Sequence, residues 1–302
     1  MGHHRLELAE DVAQDALLTA LSVWQFEGTP ENPAAWLTRV AHNKALDRLR
    51  HEKRNQPLDE TFDAPDDTNT QIDARHIPDS ELELIFLCCH SALDGIDQLA
   101  LTLRVVSGFT AREISEVFLS TEPAMAQRLS RSKRALKRLD RAVLKAPTVF
   151  EIHSRIDAVL MVLYLMFSLG YSPRSGATLV RRDVAMEAVR LAREMADQKY
   201  TDRPDAKALA SLLCFQASRL NAREDENGLP ILLKDQDRQQ WDQVLVRLGI
   251  AYLRGAMQGR EVSRYHLEAG IASLYATAPA WDQIDWQAIL GFYDRLVQIT
   301  DS

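Results

Sequence analysis

The 302 residues exceed what one hydrophobic core ordinarily organises, so two or three domains are expected. An apolar share of 46% beside 26% charged residues excludes a disordered chain, and 12 glycines with 11 prolines are too few for a turn-rich β sandwich or barrel. The net charge of -7 argues against nucleic acid as a partner only until it is divided along the chain. Residues 33–55 carry six Lys or Arg against two acids (+4), residues 57–83 nine acids against Arg75 alone (-8), and residues 123–145 eight basic residues against Asp140 alone (+7). Residues 151–302, with 18 basic and 20 acidic residues, are close to neutral. Two basic blocks separated by an acidic stretch are an organisation that the total conceals.

Taken in chain order, Ala9, Val12, Ala13, Ala16, Leu17, Ala20, Leu21 and Trp24 recur at helical spacing and predict an amphipathic helix over 7–25. Gly28, Pro30 and Pro33 end it. A second helix is predicted over about 34–53, with Trp36, Leu37, Val40, Ala41 and Leu49 inward and Arg39, Lys44, Arg48 and Arg50 outward. Residues 56–79 are acidic, hold three prolines and lack periodicity, as a linker does. Helices resume near Ser80, a candidate N-cap, and are predicted to continue to about Ser107. Gly108 breaks it, and Thr110 can cap a short helix reaching Phe118 that buries Ala111, Ile114, Ser115 and Phe118.

After a turn over 119–121, a helix over about 122–144 is predicted to bury Met125, Leu129 and Leu136 while Gln127, Arg128, Arg131, Lys133 and Arg134 face outward. This is helix-turn-helix spacing, with cations for phosphate and polar groups for base edges. A solvated basic helix in an ordinary bundle is the competing interpretation. Further on, Ile156, Val159, Leu160, Leu163, Tyr164 and Phe167 make a helix apolar nearly all round, which belongs at the centre of a bundle. Asp235 and Asp237 are expected to cap a following helix and to pair with Arg238. The apolar run from Ala158 to Tyr171 is too short to span a bilayer. The N-terminus lacks the order of a signal peptide, and Cys88, Cys89 and Cys214 form no CxxC pair. A cytoplasmic location, with no membrane partner, is expected.

The run Asn32-Pro33-Ala34-Ala35-Trp36-Leu37-Thr38-Arg39-Val40-Ala41-His42-Asn43-Lys44-Ala45-Leu46-Asp47-Arg48-Leu49-Arg50 resembles region 2 of bacterial sigma-70 family RNA polymerase sigma factors, specifically the extracytoplasmic-function type. Ala9-Glu10-Asp11-Val12-Ala13-Gln14-Asp15-Ala16-Leu17 is similar to that family's core-polymerase-binding helix, and residues 108–138 fall where its region 4 belongs. The segments Tyr164 to Tyr171, Leu179 to Asp183, Glu187 to Leu191, Leu232 to Arg238, Trp241-Asp242, Tyr265 to Ala272 and Asp285-Trp286 resemble the C-terminal helical extension of one subgroup. The resemblance implies an all-α chain: region 2 over 1–55, missing an upstream helix; an acidic linker over 56–79; region 4 over 80–146; and a helical extension over 147–302, without the tetratricopeptide-like helices that often follow.

By that resemblance the chain binds core RNA polymerase and directs promoter recognition and transcription initiation, without cofactor or catalysis. Asp11, Gln14 and Asp15 are the candidates for core binding. In region 2, Asn32 is placed to hold a flipped base and Trp36 either stacks on one or belongs to the core. Arg39, Lys44, Arg48 and Arg50 neutralise strand phosphates. In region 4, Ala126, Gln127, Ser130 and Arg131 face the groove, with Gln suited to adenine and Arg to guanine. Arg128, Lys133, Arg134 and Lys137 are phosphate clamps, and Arg138 and Arg141 are solvated. The near-neutral extension is expected to modulate activity by docking on the DNA readers or on a regulatory protein. A helix-turn-helix regulator that is not a polymerase subunit shares region 4 but has no use for the Ala9 and Trp36 motifs. An enzyme is disfavoured because no HExxH, CxxC, GxSxG or phosphate-cradling glycine loop occurs.

Overall fold

The computed structural model describes residues 12–20, 33, 37, 40, 41, 77, 79–138, 147–171, 182–225 and 229–300. The chain divides into two compact units, Met1–Ala74 and Arg75–Ser302. Every regular element among the described residues is helical, and the chain is all-α.

In the first unit, residues 12–20 form a helix that buries Val12, Ala16 and Ala20. This face, one residue per turn, is narrower than the periodicity predicts. Ala13 is exposed, and Leu17 and Leu18 are 53% and 64% exposed. Positions 33, 37, 40 and 41 are helical, with Leu37, Val40 and Ala41 half-buried. The acidic linker and the rest of the predicted second helix lie outside the described residues.

The second unit begins with α1 (Ser80–Cys88) and α2 (Gly95–Val105). They cover the helical stretch predicted over 80–107, interrupted at 89–94, where Ala92 N donates to His90 Nδ1 at 3.0 Å and Asp94 starts the second helix. Asp79, not Ser80, is the N-cap of α1: its carboxylate accepts from Glu81 N at 3.0 Å and Leu82 N at 2.8 Å. Asp94 caps α2 by accepting from Asp97 N at 2.7 Å. Then come α3 (Ala111–Val117), α4 (Glu122–Arg138), α5 (Val149–Tyr171), α6 (Arg182–Asp197), α7 (Pro204–Ala217), α8 (Gln243–Ala256), α9 (Arg264–Thr277) and α10 (Trp286–Thr300).

The start of α5 is fixed by a capping box. Glu151 N donates to Thr148 Oγ1 at 3.3 Å, and Glu151 Oε2 accepts from Thr148 N at 2.9 Å. By length and composition α5 is able to cross a membrane, since the helix extends the short apolar run at its N-terminal side. In the structure it is the central helix: Ile152, Ile156, Val159, Leu160, Leu163 and Phe167 are buried, and α1, α2, α6 and α7 pack on it. Further along, α7 packs against α6, α8 and α9, and α9 against α10. Gly249 permits the α7–α8 approach: a Cβ there would lie 2.7 Å from the Phe215 ring. Asp237 caps the 3-10 turn Arg238–Gln240 as expected, but Arg238 does not pair with it. Its guanidinium instead donates to the carbonyls of Tyr275 at 2.9 Å and Ala278 at 2.8 Å, at the end of α9.

One main apolar core runs from α1 to α9, across the boundary expected at 146/147, and a small separate cluster of Ile271, Ile284 and Ile289 holds α10. Ile77, Leu82, Phe86, Leu103, Ile114, Met125 and Leu129 belong to the same buried cluster as Ile156, Leu163, Val189, Leu209 and Phe215. Arg155, only 5% exposed, fastens the two parts: it donates to Phe86 O, in the last turn of α1, at 3.1 Å and pairs with Glu151 at 2.7 Å. On the surface of the same junction Arg190 bridges Asp79 at 2.6 Å and Glu187 at 2.5 Å, with Glu81 at 3.5 Å. A shared core predicts one cooperative transition for the second unit. Phe86→Ala should lower its stability by about 3–5 kcal/mol and shift the unfolding of α1–α4 and α5–α9 together. Calorimetry resolving two independent transitions would contradict this.

The junction also predicts a pH dependence. Burial, then the nearby Glu187 carboxylate, push the Glu81 carboxyl up from 4.5 to about 7. Between those values the folded chain holds a proton that the unfolded chain has released, so this group's contribution falls as pH rises. Thermal unfolding followed from pH 5 to 7.5 should therefore show a steeper loss of stability in the native chain than in Glu81→Gln.

Candidate nucleic-acid interface

The helix-turn-helix is assembled by backbone chemistry at both of its corners. Gly108, at φ +68°, ends α2, and Phe109 N donates back to Leu103 O at 3.1 Å, satisfying a carbonyl of the last helical turn. Arg104 adds a hydrogen bond to Phe109 O at 3.0 Å. Thr110 then opens α3 with a capping box: Glu113 N donates to Thr110 Oγ1 at 3.2 Å, and Thr110 N to Glu113 Oε2 at 2.7 Å. Ile114 and Ser115 are buried and Ala111 and Phe118 half-buried, as the periodicity predicts. Between α3 and α4, Leu119 takes φ +48° with its side chain 96% exposed.

α4 presents two contrasting faces. Met125, Leu129 and Ser132 are buried against α2 and α3. Ala126, Gln127, Ser130, Arg131, Arg134 and Arg138 are exposed, while Arg128 and Lys133 are half-buried. The expected recognition residues thus stand together on one outward surface, with two qualifications. Arg128 is turned toward the N-terminus of α2, 3.2 Å from Asp97 and 3.5 Å from Asp94, so its charge already has partners within the fold. Arg134 donates from Nε to Ser130 O at 3.2 Å and leaves the rest of its guanidinium outward. Arg131 is exposed and makes no ion pair among the described residues. Lys137 is in the helix, but its side chain lies outside what is described.

The first unit contributes a second surface. Gln14 is exposed on the side of the helix away from Val12 and Ala16, and Asp15 is half-buried at the flank of the buried stripe. Leu17 and Leu18 share that outward surface; the expectation that Leu17 is inward hid it, and Leu18, outside the apolar stripe, carried no signal. Asp11, Asn32, Trp36, Arg39, Lys44, Arg48 and Arg50 lie outside the described residues. The three cysteines are free and buried, and burial pushes the Cys88 and Cys214 thiols up to about 12 and Cys89 in the same direction, so none is a reactive thiolate.

An all-helical chain with a capped helix-turn-helix and a basic, exposed second helix is a DNA-binding protein of the transcription machinery in its architecture, and sequence comparison makes the class specific. The profile for sigma-70 region 2 matches residues 3–55, that for sigma-70 region 4 matches residues 83–136, and a family of unknown function, DUF6596, matches residues 155–257. An uncharacterized protein of Rhizobium meliloti (strain 1021) is 36% identical over 303 residues, covering 98% of this chain and 71% of its own. The ECF RNA polymerase sigma factors SigK of Mycobacterium sp. strains KMS and JLS are each 26% identical over 137 residues, covering 43% of this chain and 68% of theirs. No solved structure matches. The chain belongs to the sigma-70 family of RNA polymerase sigma factors, of the extracytoplasmic-function type with a C-terminal helical extension. Core RNA polymerase and promoter DNA are the partners that membership implies, and a regulator without the region 2 match is the less favoured reading.

The turn gives the local prediction. A left-handed conformation costs a leucine about 1–2 kcal/mol, part of which glycine returns as lost chain entropy. Leu119→Gly should therefore raise stability by about 0.5–1 kcal/mol, read as a higher Tm with unchanged helix content; a lower Tm would mean that the exposed leucine packs in solution.

Proposed function

We propose that α4 lies in the major groove of the upstream promoter element, with Gln127 and Arg131 reading base edges and Ala126 and Ser130 close against them. Lys133, Arg134 and Lys137 then bind phosphates. Arg128 is assigned a different role from its neighbours: paired with Asp94 and Asp97, it holds α4 on α2 and sets the angle at which the reading helix is presented. Arg138, exposed on the same side as Arg134, joins the phosphate set. The observation that carries this reading is the concentration of exposed polar and basic side chains on one face of a helix whose other face is fully packed.

For the first unit, Asp11, Gln14 and Asp15 form the polar part of the core-polymerase contact, and Leu17 and Leu18 supply its apolar centre. Asn32 and Trp36 hold a flipped base of the melted strand, with Arg39, Lys44, Arg48 and Arg50 on its phosphates. The chain acts in the cytoplasm as a non-catalytic initiation factor. Its extension, through the core it shares with α1–α4, tunes the presentation of α4 and offers a surface to a regulatory protein. Deleting the extension is a poor test of that role, because the cut exposes Ile77, Leu82 and Phe86. Substitutions on its surface are the cleaner probe.

In vitro transcription with core enzyme and the intact chain tests the assignment. Arg131→Ala should reduce specific promoter binding about tenfold or more while sparing scrambled DNA, whereas Arg134→Ala should weaken both alike and flatten the salt dependence by about one phosphate contact. Equal losses on both DNAs for both variants would remove Arg131 from base reading, and failure to start transcription with core alone would remove the sigma activity itself.

A further inference from the structure

Several arginines of the second unit pair with a carboxylate of the same fold: Arg128 with Asp97, Arg155 with Glu151, Arg190 with Asp79, Arg203 with Asp205 and Arg264 with Glu268. Others, Arg104 and Arg238 among them, donate to neutral oxygens, and three of these are gathered at one place. Arg182, Arg219 and Arg223 stand around the end of α5 and the 3-10 turn Leu220–Ala222, and every hydrogen bond they make goes to a neutral oxygen. Arg182 donates to Asn221 Oδ1 at 3.1 Å and Leu220 O at 3.2 Å, Arg219 to Gln216 Oε1 at 2.5 Å, and Arg223 to the carbonyl of Tyr171. Among the described residues no carboxylate lies within ion-pair distance of any of them.

The geometry is built rather than incidental. The guanidinium of Arg223 lies over the Tyr171 ring, 3.5 Å from its centre, and that of Arg219 is 5.7 Å from the same centre. The ring is held on its own account, stacked on Phe167 at 5.0 Å and donating its hydroxyl to Gln216 Oε1 at 3.0 Å. Two like charges are therefore positioned on one aromatic platform. Burial above all, with the nearby Arg223 charge adding to it and Tyr171 and Tyr275 opposing it, pushes the Arg219 guanidinium below its ordinary value. Beside Arg219 opens a cleft also lined by Phe215, Gln216, Trp241 and Tyr275. Trp241 is 3% exposed, and its indole N–H has no acceptor. A buried donor without a partner in a cleft lined by Arg219, with the Arg238 guanidinium 4.6 Å over the same indole ring, calls for an acceptor with negative charge. The enclosed part of the cleft, about 10 Å³, has room for one water or one oxygen atom and no more.

We propose that Arg219 and Arg223, presented on the Tyr171 ring, form an oxyanion-binding site of the C-terminal extension that takes the carboxylate or phosphate group of a small effector. One oxygen enters the cleft toward Trp241 and the remainder of the ligand lies outside it. Arginine suits this role because its planar fork meets such groups with two parallel hydrogen bonds. The site is separate from α4 and does not depend on how that helix reads DNA.

The test is thermal unfolding of the intact chain, titrated with sodium phosphate and separately with disodium succinate, at an ionic strength held constant with sodium chloride. At ten times its dissociation constant the preferred anion should raise Tm by about 3 °C and saturate. A response to phosphate alone, to succinate alone or to both identifies the group recognised. Arg131→Ala, which alters the DNA-reading helix, should keep the shift, and the double variant Arg219→Gln/Arg223→Gln should lose it. If the double variant does not fold, Arg223→Lys keeps the charge without the fork and should bind at least tenfold more weakly. No saturable shift with either anion beyond that of chloride, or a shift that survives these substitutions, overturns the proposal.

Discussion

The buried guanidinium of Arg155 is the constraint on which the second unit turns. A charge at 5% exposure is tolerated only with partners, and this one has two: the Glu151 carboxylate and the carbonyl of Phe86 at the end of α1. The first partner comes from its own helix and the second from the DNA-reading part. Removing either would leave a buried charge or a buried carbonyl unsatisfied, so α5 has one register against α1. Glu151 is itself held by the capping box that begins α5, which couples the position where that helix starts to the position where α1 ends. Apolar packing supplies most of the cohesion around this point, but packing alone is permissive about register and the polar pair is not.

Charge is partitioned in the same economical manner. The positive block at 123–145 does not all face outward: Arg128 is neutralised within the fold by the N-terminal acids of α2, while Arg131, Arg134 and Arg138 are exposed along the outer face of α4. An inward-tethered arginine fixes the helix, and outward ones remain available to phosphates. The two tasks need the same side chain in different surroundings, which is why a count of basic residues cannot separate them.

Most of the architecture was legible in the sequence because it is written in local signals. Gly108, Thr110 and the stripe Ile114, Ser115 and Phe118 define α3 without tertiary information, and Met125 and Leu129 orient α4. Other features required the third dimension. The position of the break between α1 and α2 depends on the side-chain cap at Asp94 and on His90 Nδ1 accepting from Ala92 N. Thr148 and Glu151 form a capping signature that is legible in the sequence at the start of α5. The shared core at 146/147 was illegible for a different reason: a composition change marks where charge ends, not where packing ends. The helix over 12–20 shows the limit of periodicity itself, since alanine and leucine satisfy an apolar stripe whether they face a core or a partner, and Leu17 and Leu18 face outward.

The continuity of the core changes what the extension is able to do. If α5–α10 were a separate body on a flexible tether, anything bound there would influence α4 only by steric obstruction. Packed as they are, α1 and α2 rest directly on α5, and α3 and α4 rest on α2. A ligand or protein that favours one packing of α5 over another must then shift the equilibrium of α1 and α2 by its full differential affinity, and α4 with them. The coupling is reciprocal: DNA that prefers one presentation of α4 changes the affinity of the extension for whatever binds it, by the same factor. A close-packed interior transmits such preferences because it has few ways to absorb them. In this chain α4 and the extension are packed into one body, and the contacts that join its two parts include Phe86, Arg155 and α5.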